Sequence, residues 1–191
     1  MGSKVEKLRD LTTKRATADH QEEFNKQISD EADDRSFCLL LISMLENTLD
    51  QALDHWIGEQ TKELRQSLYA QDGLLATFAR KITFATVINI AGPVSRENLR
   101  LMRHIRNAFA HSKIPITFDT PEVATICADL VRINILEPAE EPDQEPGLSP
   151  RKRFEAICNE TMIRLTSFTG HKVQYWDETG KQRNIMDGGL P

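Results

Sequence analysis

From Phe37 to Ile57 the chain carries apolar residues at nearly every angle of a helix. Wound at about 100° per residue, Ser43, Asn47, Asp50 and Asp54 form the narrow polar strip that remains. A helix apolar almost all round is stable in water only when other elements cover it. Its run from Phe37 to Leu45, broken once by Ser43, is about half of what a bilayer-spanning helix needs. The chain is therefore expected to fold around one central, covered helix rather than to cross a membrane. Glu46 falls on the apolar flank of that helix, among Leu39, Leu53 and Ile57, so its carboxylate requires a buried partner.

The remaining segments repeat the helical signal. The long helix is expected to begin near Gln21, with Phe24 and Ile28 on its apolar side, and to break at Gly58. A short amphipathic piece follows with Leu64 and Leu68, closed by the turn Gln71-Asp72-Gly73. Helical spacing predicts elements over 74–91, stopped by Gly92-Pro93, and over 95–112, with Ser95 as its N-cap and Pro115 ending it. Thr120-Pro121-Glu122 opens another helix to about Ile133, and Ser149-Pro150 opens the last, ended by Gly170. Aromatic and β-branched residues around Gly180 point to a small hairpin in the tail. The fold class is all-α, a bundle of five or six helices. It divides into an arm (1–20), a helical domain (21–169) that holds an acidic linker (137–147), and a tail (170–191).

Charge narrows the partners. The 191 residues carry a formal net charge of -5, and Glu137, Glu140, Glu141, Asp143 and Glu145 account for all of it. The rest is formally neutral, so no global field draws this chain onto nucleic acid, and contact would need a local basic stripe. Cys38, Cys127 and Cys158 are dispersed, with no CxxC and no Cys/His cluster, which favours reduced core thiols and a cytoplasmic setting over a disulfide frame or a zinc site. The first fifteen residues lack an apolar leader segment. No Gly-rich phosphate loop, HExxH or GxSxG occurs, and neither cofactor nor metal is expected.

The segment 96–112 is the informative one. Leu101, Met102, Ile105, Ala108 and Phe109 share its buried side. Arg96, Arg100, Arg103 and His104 lie opposite, with Asn107 and His111. Charged helix faces are most often simply solvated, but this one has the spacing of a phosphate-contacting edge. Arg106 stands apart, on the border of the apolar face, where a permanent charge must meet a carboxylate or phosphate. Glu46 is its expected partner within the fold. His111 follows Arg106 by five residues, about 140° around and 7.5 Å along an ideal helix, so on one straight helix the two side chains diverge.

Arg106-Asn107-Ala108-Phe109-Ala110-His111 resembles the R-N-x-x-x-H signature of HEPN domains, and within them the mannitol operon repressor (MltR-like) family. Ordered flanking blocks share the likeness: Arg35-Ser36-Phe37 into Leu45-Glu46, Phe78 to Ile82, Phe118-Asp119-Thr120-Pro121-Glu122-Val123, and Ser149-Pro150-Arg151-Lys152-Arg153-Phe154. The resemblance covers roughly residues 24–168. It implies a helical bundle that forms a homodimer and a cytoplasmic transcriptional regulator that works through protein or weak nucleic-acid contacts. It also implies an alternative, a metal-independent ribonuclease. There Arg106 would stabilise the reacting phosphate, His111 would act as general acid or base, and Asn107 would hold substrate or the partner helix. A bare helical scaffold, with Arg106 paired to Glu46, is the third reading.

Overall fold

The computed structural model describes residues 33–58, 61–132 and 147–170, together with the backbone of two short strands at 174–176 and 182–184. The expected arm, the expected helix start near Gln21 and the acidic stretch from Glu137 to Pro146 lie outside the described residues. Six helices follow in order: α1 (Asp34–Ile57), α2 (Lys62–Tyr69), α3 (Phe78–Val87), α4 (Pro93–His111), α5 (Pro121–Ala128) and α6 (Pro150–Gly170). The all-α expectation stands. The tail hairpin also forms, as antiparallel β1 (Gln174–Trp176) and β2 (Gln182–Asn184) with Tyr175 opposite Arg183.

α1 is the axis. Asp33 caps it by accepting from the Ser36 N–H at 2.8 Å, and this bond holds the Asp33 carboxyl below its ordinary range. Phe37, Cys38, Leu41, Ile42, Leu45, Leu49, Ala52 and Leu53 are all but sealed from solvent, and they share one side of the helix, about half of its circumference, while Leu39 and Leu40 on the other side are only half-buried. α6, α4 and α3 pack on it. Arg151 at the start of α6 reaches Asp34 at 2.7 Å, so α1 and α6 begin at the same end of the bundle. α4 finishes there, because Arg35 donates to the Ser112 carbonyl at 3.2 Å.

That shared end is closed by phenylalanines. Phe118, from the α4–α5 connection, meets Phe109 at 4.9 Å, Phe154 at 5.1 Å and Phe37 at 6.0 Å between ring centroids. All four rings are buried. The Phe118 N–H donates to Asp34 at 2.9 Å, which fixes the backbone that delivers the ring. Asp34 thus serves the loop and α6 together. The three cysteines are free and buried, as expected. Although distant in sequence they lie in the same core, with Cys158 Sγ 3.6 Å from the Met102 sulfur. Burial raises all three thiols, Cys127 to about 12, which keeps them protonated and unreactive.

Several helix ends differ from the sequence reading. α4 starts at Pro93, with Gly92 as N-cap, rather than at Ser95, because proline suits the first helical position. Ala108 is exposed, not buried. α3 is shorter than 74–91, since Thr77 caps it by accepting from the Arg80 N–H. Gly73 precedes it in a turn where a Cβ would stand 2.3 Å from the carbonyl oxygens of Ser67 and Leu68, so no other residue fits. α5 stops at Ala128, short of Ile133. Beyond it Leu130 drops into the core, and Asn98 clasps Val131 with two hydrogen bonds, 2.7 Å to its carbonyl and 3.0 Å from its N–H. Arg153 holds the Leu130 carbonyl from the α6 side.

Removing the Phe118 ring should open a cavity shared by α1, α4 and α6. Phe118→Ala is expected to lose about 3–5 kcal/mol in chemical denaturation, and a loss below about 1 kcal/mol would show that the ring does not organise this end.

Candidate functional site

The partner expected for Arg106 is taken elsewhere. Glu46 Oε1 lies 2.8 Å from Lys81 Nζ, and Asp50 Oδ2 lies 2.9 Å from the same nitrogen. Lys81 is only 7% exposed, on the inner face of α3 between Phe78 and Ile82. Two carboxylates one helical turn apart thus converge on one buried ammonium, the geometry that offsets its desolvation. The Tyr69 ring stands 5.8 Å from the ammonium, and its hydroxyl donates to Asp54 at 2.9 Å. Arg65 also pairs with Asp54, which ties α2 to the polar strip of α1. The predicted Arg106–Glu46 pair is therefore corrected to a Lys81–Glu46–Asp50 cluster. Arg106 was placed on the wrong seam: its guanidinium lies near Cys38, in the first turns of α1, whereas Glu46 lies further along that helix.

Arg106 is half-buried and donates to the side-chain oxygen of the adjacent Asn107 at 3.1 Å. That acceptor is neutral. His111 is exposed in the last turn of α4. The diverging geometry expected for two residues five apart on one helix holds, since α4 continues through His111 without a break. Arg35 reaches the Ser112 carbonyl immediately after it, so a second guanidinium from α1 is anchored beside this turn.

The outer face of α4 is basic, as the wheel indicates. Arg96, Arg100 and His104 are exposed, and Arg103 and Asn107 are half-buried. Glu97 interrupts the stripe and takes Arg100 in a two-pronged pair, with bonds of 2.9 Å and 2.6 Å. Arg100 holds the Glu97 carboxyl below its usual range. Arg103 Nη2 lies 3.4 Å from His104 Nε2. Three arginines against one glutamate leave this face formally at +2 with the imidazoles neutral. None of the three arginines Arg96, Arg100 and Arg103 bonds to another helix, unlike Arg151, which reaches Asp34.

Sequence reasoning passed over Lys81, Asn98 and the Asp34–Arg35 pair as structural anchors. Each carried a signal. Lys81 and Asn98 are polar residues at apolar angles of their helices, and Asp34-Arg35 opens the apolar run of α1. Among the described residues no group of three or more His, Cys, Asp or Glu side chains is placed to hold a metal, and no helix is long and apolar enough to cross a membrane.

No protein-family model matches the sequence, and no curated protein matches it. The fold is similar to a chain in the X-ray structure of the MtlR-HPr complex from Escherichia coli. The match has a TM-score of 0.52 at 16% identity, over 78% of this chain and 95% of that one. At that identity the likeness shows a shared fold.

The charge assignments separate two substitutions. Lys81→Met strands two neighbouring carboxylates and should cost on the order of 3 kcal/mol, whereas Arg106→Ala removes one bond to a neutral acceptor and should cost about 1 kcal/mol or less. Urea denaturation of both variants checks the order, and a reversed order would restore Arg106 as the buried structural cation.

Proposed function

We propose that this protein is a regulator that acts by binding a protein partner, and that the basic outer face of α4 is its docking surface. The observation that carries the reading is the division of labour on α4. One side of the helix is spent on the core, while Arg96, Arg100, Arg103 and His104 stand outside it. The solved neighbour, MtlR, forms a complex with the protein HPr, which supports a partner-binding role for the shared fold. A face at +2 within a chain of net charge -5 suits a small acidic protein surface better than the dense charge of a nucleic-acid backbone. The residues named here bind the partner. Transcriptional control would be the outcome of that contact, in a cytoplasmic protein that pairs with a second copy of itself, as the family resemblance implies. The test is Arg96→Ala/Arg100→Ala/Arg103→Ala together. Melting should stay within a few degrees of the parent, because exposed charges contribute little to stability. Retention of a partner captured by the parent protein should be lost. Full retention by the triple variant would reject this surface.

A second reading, ribonuclease action by Arg106 and His111, is favoured by one observation: Arg106 is half-buried beside a neutral amide instead of a carboxylate. The two side chains diverge on α4, so a common phosphate would require a second copy of the chain across a two-fold axis. Asn107, bonded to Arg106, would then orient the guanidinium. RNA incubated with pure protein and a chelator should be cut to 2′,3′-cyclic phosphate ends, and the cleavage should vanish in His111→Ala. Intact RNA across varied substrates excludes this reading.

A further inference from the structure

Arg106 is a half-buried guanidinium with no counter-charge in its surroundings. It donates from Nη1 to the neutral Oδ1 of Asn107 at 3.1 Å, and among the described residues no carboxylate pairs with it. It lies on the seam of α4 with α1, where its charge is felt at Cys38. The acids of both helices are committed elsewhere. Asp34 takes Arg151 and the Phe118 N–H, Glu46 and Asp50 take Lys81, Asp54 takes Tyr69 and Arg65, and Glu97 takes Arg100. An arginine so placed gains more from an incoming anion than one in open water, because part of its desolvation has already been met in folding.

The bond to Asn107 also orients the group. With Nη1 turned to the amide, the edge of the fork formed by Nε and Nη2 has no acceptor among the described residues. Those two parallel N–H donors match the two oxygens of a carboxylate. The same pair of donors on Arg100 holds both oxygens of Glu97, Nε at 2.9 Å and Nη2 at 2.6 Å. Arg103 precedes Arg106 by three residues, about 60° around and 4.5 Å along α4, so the free fork borders the basic outer face. Arg103, Arg106, Asn107 and Ala110 are all half-buried, whereas Arg96, Arg100, His104 and Ala108 are exposed. The outer face thus dips along this flank, and Arg106 stands in the dip.

We infer that Arg106 is the anchor of the docking face, oriented by Asn107 to take one carboxylate of an acidic protein partner in a two-pronged pair. The inference rests on the docking face proposed above and names the residue that sets its specificity. Arg96 and Arg100 supply a field that is nearly indifferent to geometry, since exposed ion pairs contribute little. A half-buried fork is selective, because it needs a planar acceptor at one distance and one angle, and the point charge of a lysine does not reproduce it. Binding energy at protein interfaces concentrates on a few such arginines.

The test uses the full chain and a fluorescent ten-residue oligo-aspartate. Arg106→Gln should weaken binding about tenfold, and Arg106→Lys, which keeps the charge, should weaken it nearly as much. Arg100→Gln should weaken it only about twofold, and Arg80→Gln, at an exposed residue of α3, should leave it unchanged. The Nε–H signal of Arg106 in the NMR spectrum, assigned by its loss in Arg106→Lys, should move when the peptide is added to the parent. In Asn107→Leu that movement should shrink and binding should weaken about threefold, although Arg106 is still present. Parent-like affinity in Arg106→Gln or in Arg106→Lys overturns the inference, and the docking face stands if the triple variant at Arg96, Arg100 and Arg103 still loses the peptide. No oligo-aspartate binding by the parent overturns both. If a ten-nucleotide single-stranded RNA binds through Arg106 and the oligo-aspartate does not, the anion is a phosphate and the acidic-protein partner is wrong.

Discussion

Desolvation of α1 governs this fold. A 24-residue helix with ten buried side chains can exist in water only when that side is covered, and α3, α4 and α6 cover it. Each covering helix brings an apolar stripe, and α3 and α6 each add one cation suited to what α1 presents at that level. Arg151 meets Asp34, and Lys81 meets Glu46 and Asp50. The apolar contact is non-directional and supplies the driving force, whereas the ion pairs fix which helix lies where. A swap of α3 and α6 would bury Lys81 without its carboxylates.

The same constraint suits α4 to the docking role proposed for it. Its inner stripe is settled by α1 and α3, and Asn98 secures Val131. The helix is therefore held rigidly by residues that never reach its outer face. Side chains on such a support keep their spacing when a partner arrives, so little conformational entropy is lost on binding. Exposed cations on an arm or loop would lack that advantage.

Much of this was legible in the chain. The period and breadth of the apolar pattern in 37–57 identified the central helix, and Thr120-Pro121 and Ser149-Pro150 placed the starts of α5 and α6. The basic stripe on α4 was read in register because helical geometry alone decides which side chains share a face. The pairing of charges was not legible. Glu46 and Arg106 were each recognised as needing a partner, but a helical wheel carries no information about which helices meet or at what height. Lys81 was hidden because a lysine beside Arg80 on a ten-residue helix reads as a surface position. Nor does sequence show that Arg106 sits at the level of Cys38, since that follows from where α4 ends against α1. The solved neighbour shares this fold at 16% identity.

The clasp between Asn98 and Val131 has a consequence for how this chain can vary. Together with the hold of Arg153 on the Leu130 carbonyl, it terminates the α5 segment on the bundle before the acidic stretch begins. On the other side, the α6 start is moored by Arg151 to Asp34. Both banks are therefore fixed independently of the span between them. The entropy of joining two anchored ends grows only slowly with the number of residues between them, so insertions between residues 132 and 147 should leave the helices on either side in place.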